Sequence, residues 1–321
     1  MSNININTNT NTNTNRNTEI NKRYYLSNLK KFELEFEETS ELLGEGSYSI
    51  VVLGKSILNN IEYAIKKINR EWIDNKDIEI IKNEIKILSE VNHENIIKFY
   101  GHYYDEKFIY IIMEKGLSLE NLLNKGCLEE KIVKKYSKDI FNGLLYLKQN
   151  KIVHCDIKIP NIIIINDVAK ICDFGLSEKI EGDEIKIFND NNNSNNSNSN
   201  NSNSNNSNSN NSNSNDSNDS NDNNMFVKKS SIKGSSNYIA PELFTIGDLS
   251  YQVDIWSCGI LILKLITNYY LRNYNTSELY LYFRHSNVSN ELIDLIKSML
   301  ILDYKERNTI EDLINHNWFK S

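Results

Sequence analysis

Apolar residues recur along this chain with two different periods, and the period changes partway through. Between residues 33 and 68 the pattern predicts three strands. Leu34, Phe36, Leu42 and Leu43 lead into a glycine turn, Ile50 to Leu53 follow it, and Ile61 to Ile68 alternate with a β-branched bias. Over residues 77–90, Ile78, Ile81, Ile85 and Leu88 fall at helical spacing and predict an amphipathic helix carrying Glu84. Two further strands are predicted at Ile97–Tyr104 and Phe108–Met113, with Glu114 to Leu117 as a short connection. Helical spacing then dominates. Val133, Tyr136, Ile140, Leu144 and Leu147 define one helix, and Val253 to Ile266 is apolar on most sides and reads as buried. Leu292 to Leu300 gives a third, and Thr309 starts the last, with Asp312 placed for a capping box. Strands first and helices after predict an α+β chain with two lobes.

Two stretches carry no such pattern. Residues 1–18 alternate Asn and Thr, and residues 189–224 are almost entirely Asn, Ser and Asp. Neither has the apolar surface to offset the entropy of ordering it, so both are expected to be disordered: a tail and a solvated insert. The formal net charge of -7, without a long basic run, argues against a nucleic-acid partner. Apolar runs such as Ile162 to Ile165 and Gly259 to Leu263 are too short to span a bilayer, and the amino terminus lacks a basic-then-apolar signal. The four cysteines, Cys127, Cys155, Cys172 and Cys258, form no Cys-x-x-Cys pair. They imply neither a disulfide framework nor a zinc site, and a reducing, cytoplasmic location is expected. Oligomeric state is not encoded in any of this.

Candidate chemistry lies in short fragments set in one order. They are Gly44-Glu45-Gly46, Ala64-Ile65-Lys66, Glu84, His154-Cys155-Asp156, Asn161, Asp173-Phe174-Gly175 and Ala240-Pro241-Glu242. Glycines let a backbone approach phosphate oxygens and offer amide hydrogens, although Gly44 and Gly46 alone make no more than a hairpin turn. Both prolines of the chain, Pro160 and Pro241, sit inside these fragments.

Together the fragments resemble the eukaryotic protein kinase family, serine/threonine type, over roughly residues 36–319. The resemblance implies a bilobal fold: a small β-rich N-lobe at about 36–113, a hinge at 114–117 and a mainly helical C-lobe at 118–319. It implies ATP and Mg2+ as cofactors and a protein as the substrate. Leu43, Gly44, Glu45, Gly46, Ser47, Tyr48 and Ser49 correspond to the phosphate-covering loop, with Ser49 in place of the family's third glycine. Lys66 corresponds to the lysine on the α- and β-phosphates, and Glu84, eighteen positions on, to its ion-pair partner. Val51, Ala64 and Ile163 match positions around the adenine, Met113 the back of that pocket, and Glu114 to Gly116 the hinge. Asp156 corresponds to the catalytic base and Lys158 to the cation that neutralises the transferring phosphoryl group. Asn161 and Asp173 correspond to the metal ligands. Lys158, two residues after Asp156, and Ser235, ahead of Ala240-Pro241-Glu242, match the serine/threonine pattern. Asp254 resembles a buried aspartate that pins the catalytic loop, Arg307 the partner of Glu242, and His154 a packing residue. The alternative reading is a pseudokinase, a nucleotide-binding scaffold of the same fold. Such relatives usually lose one of Lys66, Glu84, Asp156, Asn161 or Asp173, and all five are present. Cys155 stands where the family usually has the arginine that receives an activation-segment phosphate, so little dependence on that modification is expected.

Overall fold

The computed structural model describes residues 23–25, 35–46, 49–180, 184–186, 234–245, 248–271, 276–284 and 287–320. The tail at 1–18, the whole polar stretch 189–224, and Ser47 and Tyr48 lie outside them. The chain divides into two compact units, Met1–Leu117 with Ile163–Gly175, and Ser118–Ile162 with Leu176–Ser321. Among the described residues no helix is long and apolar enough to cross a membrane.

The first unit is built on an antiparallel sheet of β1 (Arg23–Tyr25), β2 (Glu35–Glu45), β3 (Ser49–Ser56), β4 (Glu62–Asn69), β5 (Phe99–Tyr104) and β6 (Phe108–Glu114), in the order β1-β2-β3-β4-β6-β5. Five of these strands are the predicted ones. β1 is not: its three residues are too few for an alternation to show, and it is set by pairing of Tyr24 with Phe36. Because side chains alternate across a strand, the register sorts the sheet into two faces. One carries Val52, Tyr63, Ile65, Tyr110 and Ile112, packed with Tyr100, Tyr103 and Phe108 into an aromatic-rich core. α1 (Asn75–Glu90) buries Ile81, Glu84, Ile87 and Leu88. It starts two residues before the predicted start at 77, because Asp74 and Asp77 form a reciprocal capping box.

Residues Ile163–Gly175 group with this first unit, although the sequence boundaries put them in the C-lobe. The reason is backbone pairing: Ile97 N–H donates to Ile171 O at 2.9 Å, and Ile171 N–H to Asn95 O at 2.9 Å.

After the two-residue β7 (Leu117–Ser118), the second unit contains α2 (Leu119–Leu123), α3 (Glu130–Gln149) and β8 (Ile152–Val153). The chain then forms the hairpin of β9 (Ile162–Ile165) and β10 (Val168–Ile171), most of which belongs to the first unit. α4 (Glu242–Thr245), α5 (Gln252–Thr267), α6 (Leu279–Tyr282), α7 (Asn290–Met299) and α8 (Ile310–Ile314) complete the second. α5 is its axis, buried from Val253 through Leu263 as its all-round apolar sequence predicts. Gly259 lets it pack tightly, since a Cβ there would lie 2.7 Å from Leu300 Cδ2. The helix stops at Asn268, whose left-handed backbone (φ 61°) caps it. Thr309 and Asp312 form the predicted capping box of α8.

Candidate functional site

In the first unit the site residues are collected by strand register. Val51 lies opposite Lys66, and Lys66 opposite Ile111, while Ala64 lies between Leu53 and Met113. Val51, Ala64, Lys66 and Met113 therefore share one sheet face, the one opposite the aromatic core. Leu43 occupies a bulge between the Leu42–Val52 and Gly44–Val51 pairs. Gly46 closes the turn by donating its N–H to Ser49 O at 2.7 Å, so that amide is engaged within the hairpin. Glu45 ends β2, exposed beside this turn. Ile163 and Gly116 are in contact distance of one another by necessity: a Cβ on Gly116 would fall 2.3 Å from Ile163 Cγ2 and 2.9 Å from Ile164 O. Only glycine lets the backbone run so close to β9. Glu114 differs from a residue offering its side chain to a ligand. Its carboxylate accepts from Lys170 Nζ at 2.8 Å and from Lys98 N–H at 2.7 Å, and its own N–H donates to Lys98 O at 3.0 Å.

Lys66 Nζ donates to Glu84 Oε1 at 2.7 Å and to Asp173 Oδ1 at 2.9 Å. Glu84 is 2% exposed, as its position among the apolar residues of α1 requires. Burial alone would push the Lys66 ammonium down, but Glu84 and Asp173 hold it above its usual value. The same burial raises the Glu84 carboxyl despite Lys66. Asp173 has a left-handed backbone (φ 65°), which aspartate tolerates better than most residues, and its side chain stays 40% exposed. The group is thus a fixed cation flanked by a buried anion and a solvent-facing one.

The second unit collects another set. Asp156 and Lys158 are in ion contact at 2.7 Å. Asn161 donates its amide to Asp156 O at 2.9 Å and to Asp156 Oδ2 at 3.0 Å, leaving Oδ1 as its remaining polar atom. Ser235 donates its hydroxyl to Asp156 Oδ1 at 2.9 Å and accepts from Lys158 Nζ at 2.8 Å. Gly234 delivers Ser235 there: its φ is +110°, and a Cβ would sit 2.9 Å from Cys155 O.

The loop holding Asp156 is strained and pinned. Cys155 has φ +68°, a backbone that costs an L-residue with a Cβ about 1–2 kcal/mol. Asp254, on α5, accepts the N–H groups of His154 at 2.7 Å and Cys155 at 2.9 Å, which offsets that strain. His154 is fully buried and accepts the Asp156 N–H at Nδ1, 3.3 Å away, so it shapes the loop from within. Burial pushes the Asp254 carboxyl up to about 7 in spite of its two N–H donors, with Asp156 adding to the rise. The unfolded chain titrates this group near 3.8, so it releases its proton before the folded chain does. Stability is accordingly expected to fall as pH rises from about 4 to about 7 and to level off above. Asp254→Asn should flatten that part of the profile. Calorimetric melting of both proteins across this range checks it; parallel curves would mean that Asp254 does not titrate there.

Arg307 and Glu242 form a buried bidentate pair at 2.8 and 3.0 Å. Among the described residues there is no cluster of three or more His, Cys, Asp or Glu suited to a metal ion. Sequence reasoning did not single out Lys264, Tyr238 and Tyr270, which gather beside Lys158. Their only signal was that a lysine interrupts the apolar run from Gly259 to Ile266 in α5.

A family model described as a protein kinase domain matches residues 37–196 and 211–319. The chain is 27% identical over 290 residues to a probable serine/threonine-protein kinase of Dictyostelium discoideum, covering 86% of this chain and 39% of that protein. It is 26% identical over 304 residues to an Aurora kinase of the same organism, covering 91% and 67%. It is 28% identical over 321 residues to calcium-dependent protein kinase 5 of Plasmodium falciparum, covering 94% and 48%. The chain thus spans between 39% and 67% of the length of these relatives.

Proposed function

Because the chain belongs to the protein kinase family, we propose that it transfers the γ-phosphoryl group of Mg-ATP to serine and threonine hydroxyls of protein substrates. The observation that carries this reading is the Asp156–Lys158 pair with Ser235. The Ser235 hydroxyl shows that an alcohol there donates its hydrogen bond to the Asp156 carboxylate, with the Lys158 ammonium alongside. Donation to a carboxylate is the contact through which a general base activates a hydroxyl.

The donor sets fit the cofactors. Lys66, locked as a cation by Glu84, would hold phosphate oxygens. The exposed Asp173 carboxylate and Asn161 Oδ1 are hard oxygen ligands suited to magnesium, which takes few protein ligands when phosphates supply the rest. Val51, Ala64, Met113 and Ile163 would border the base, and the backbone of Glu114 to Gly116 would offer it hydrogen bonds. Leu43 through Ser49 would cover the phosphates, with Gly44 open enough for close approach. When bound, Mg-ATP supplies the electrophilic phosphorus, with the metal neutralising charge on the phosphates. Asp156 would orient the acceptor hydroxyl and take its proton, while Lys158 would stabilise the equatorial charge that develops. We read residues 189–224 as a polar insert in the activation segment. The family match breaks between 196 and 211, inside that stretch, which supports the reading.

The purified chain with Mg2+ and ATP is expected to label a generic protein acceptor, with phosphoserine and phosphothreonine recovered on hydrolysis. Recovery of mainly phosphotyrosine would refute the substrate class.

A further inference from the structure

A cavity of about 410 Å³ opens in the second unit beside Lys158, bordered by Pro160, Tyr238, Tyr270, Lys264 and Glu120. We propose that this cavity binds an anionic side chain of the protein substrate, a carboxylate or a phosphate, a few residues from the acceptor hydroxyl. The inference rests on the kinase reading above and deepens it by naming what the substrate carries.

Lys264 leaves α5 half-buried and is held in place twice: Nζ donates to Asn268 O at 2.8 Å and lies 4.5 Å from the centre of the Tyr270 ring. An ammonium has three N–H donors, and Asn268 takes one. The Tyr238 and Tyr270 hydroxyls are 3.3 Å apart and share one hydrogen bond. Two hydroxyl protons serve that single bond, so one O–H is left to give. The ammonium and the tyrosine pair therefore converge on the cavity with donors to spare, and the ligand they ask for is an acceptor. Its charge follows from which ions are already matched. Lys158 is neutralised by Asp156 at 2.7 Å, so its positive charge is not what the cavity offers. Glu120 is exposed in the first turn of α2, where water and salt screen it. Lys264 is the fixed, partly desolvated charge, and a charge in that setting acts more strongly than one in open solvent. Because Lys158 both borders the cavity and bonds the proposed base, an extended peptide with its hydroxyl at Asp156 reaches the cavity within about two or three residues, at roughly 3.3 Å each.

The test uses the whole chain with Mg-ATP and a peptide series. Each peptide has one serine in an alanine-rich background, and a single Glu, phosphoserine, Ala or Lys is moved through the positions on either side. At one or two positions Glu or phosphoserine should raise kcat/KM about threefold to fivefold over Ala, the scale of a partly exposed ion pair. A gain with phosphoserine alone assigns the phosphate as the source of the anion. Lys264→Met should bring the Glu-to-Ala ratio to about one, Lys264→Glu should invert it in favour of Lys, and Lys264→Arg should restore it. Tyr270→Phe, which keeps the ring under Lys264, should lower the ratio without abolishing it. Wild-type protein that labels every peptide alike, or a Glu preference unchanged in Lys264→Met, would overturn the inference. Failure to label any peptide, the alanine one included, would instead strike the kinase reading.

Discussion

Asp156→Asn is expected to lower kcat by orders of magnitude while nucleotide affinity stays near its wild-type value. The substitution is nearly isosteric. The amide oxygen can still accept from one of the groups around Asp156, which include Asn161, Lys158 and the Ser235 hydroxyl. What it cannot do is accept a proton, and a group that acts on the hydroxyl only as bonds are exchanged contributes to the transition state and little to ground-state binding. Asp173→Asn makes the contrast. Asp173 lies against Lys66 at 2.9 Å and is proposed to hold the metal, so its loss should weaken Mg-nucleotide binding together with turnover. Turnover by quench-flow and nucleotide binding by calorimetry separate the two. Small and equal effects from both substitutions would favour the scaffold reading over catalysis.

The strands and helices were legible where apolar spacing is regular, and so was the link between Lys66 and Glu84. Ile81 and Leu88 flank Glu84 on the buried face of α1, so a carboxylate there had to meet a cation. The pinning of the Asp156 loop was accessible only through resemblance. No spacing rule relates Asp254 to His154 and Cys155, which are 100 and 99 residues away. β1 was missed because three residues show no period. The membership of Ile163–Gly175 in the first unit was missed because it depends on backbone hydrogen bonds, which any side chain permits. The tight packing around Gly116 was not legible for a related cause. The sequence marks a glycine in a connection, and its packing against Ile163 emerges only when β9 is in place. Lys264 stayed hidden because a lysine in an apolar helix reads as a solvent-facing side chain until Tyr270 and Asn268 are found around it.

Arg307→Met is expected to destabilise the second unit by about 3–5 kcal/mol, the range for breaking a buried ion pair by removing one partner. Arg307 and Glu242 are 2% and 3% exposed. The guanidinium also serves more than the carboxylate: it donates to Ile301 O through Nε and Nη2, at 3.1 and 2.9 Å, and to Gln252 O at 2.6 Å. It lies over the Trp256 ring at 5.2 Å. Methionine fills much of the same volume, so the loss reflects the charge and the hydrogen bonds more than a cavity. Glu242 would be left ionised without a partner, and two backbone carbonyls would lose their donor. Lysine cannot substitute, because one ammonium cannot reach the carboxylate bidentately and both carbonyls together. Arg307→Lys should therefore recover only part of the loss. Pairing Arg307→Met with Glu242→Gln should recover more, since it removes the orphaned charge itself. The drop in melting temperature should be roughly 10 °C for the single variant, with the double variant falling between it and wild type. A single variant within about 1 kcal/mol of wild type in denaturant unfolding would mean that water reaches Glu242 and that the pair is not buried in solution.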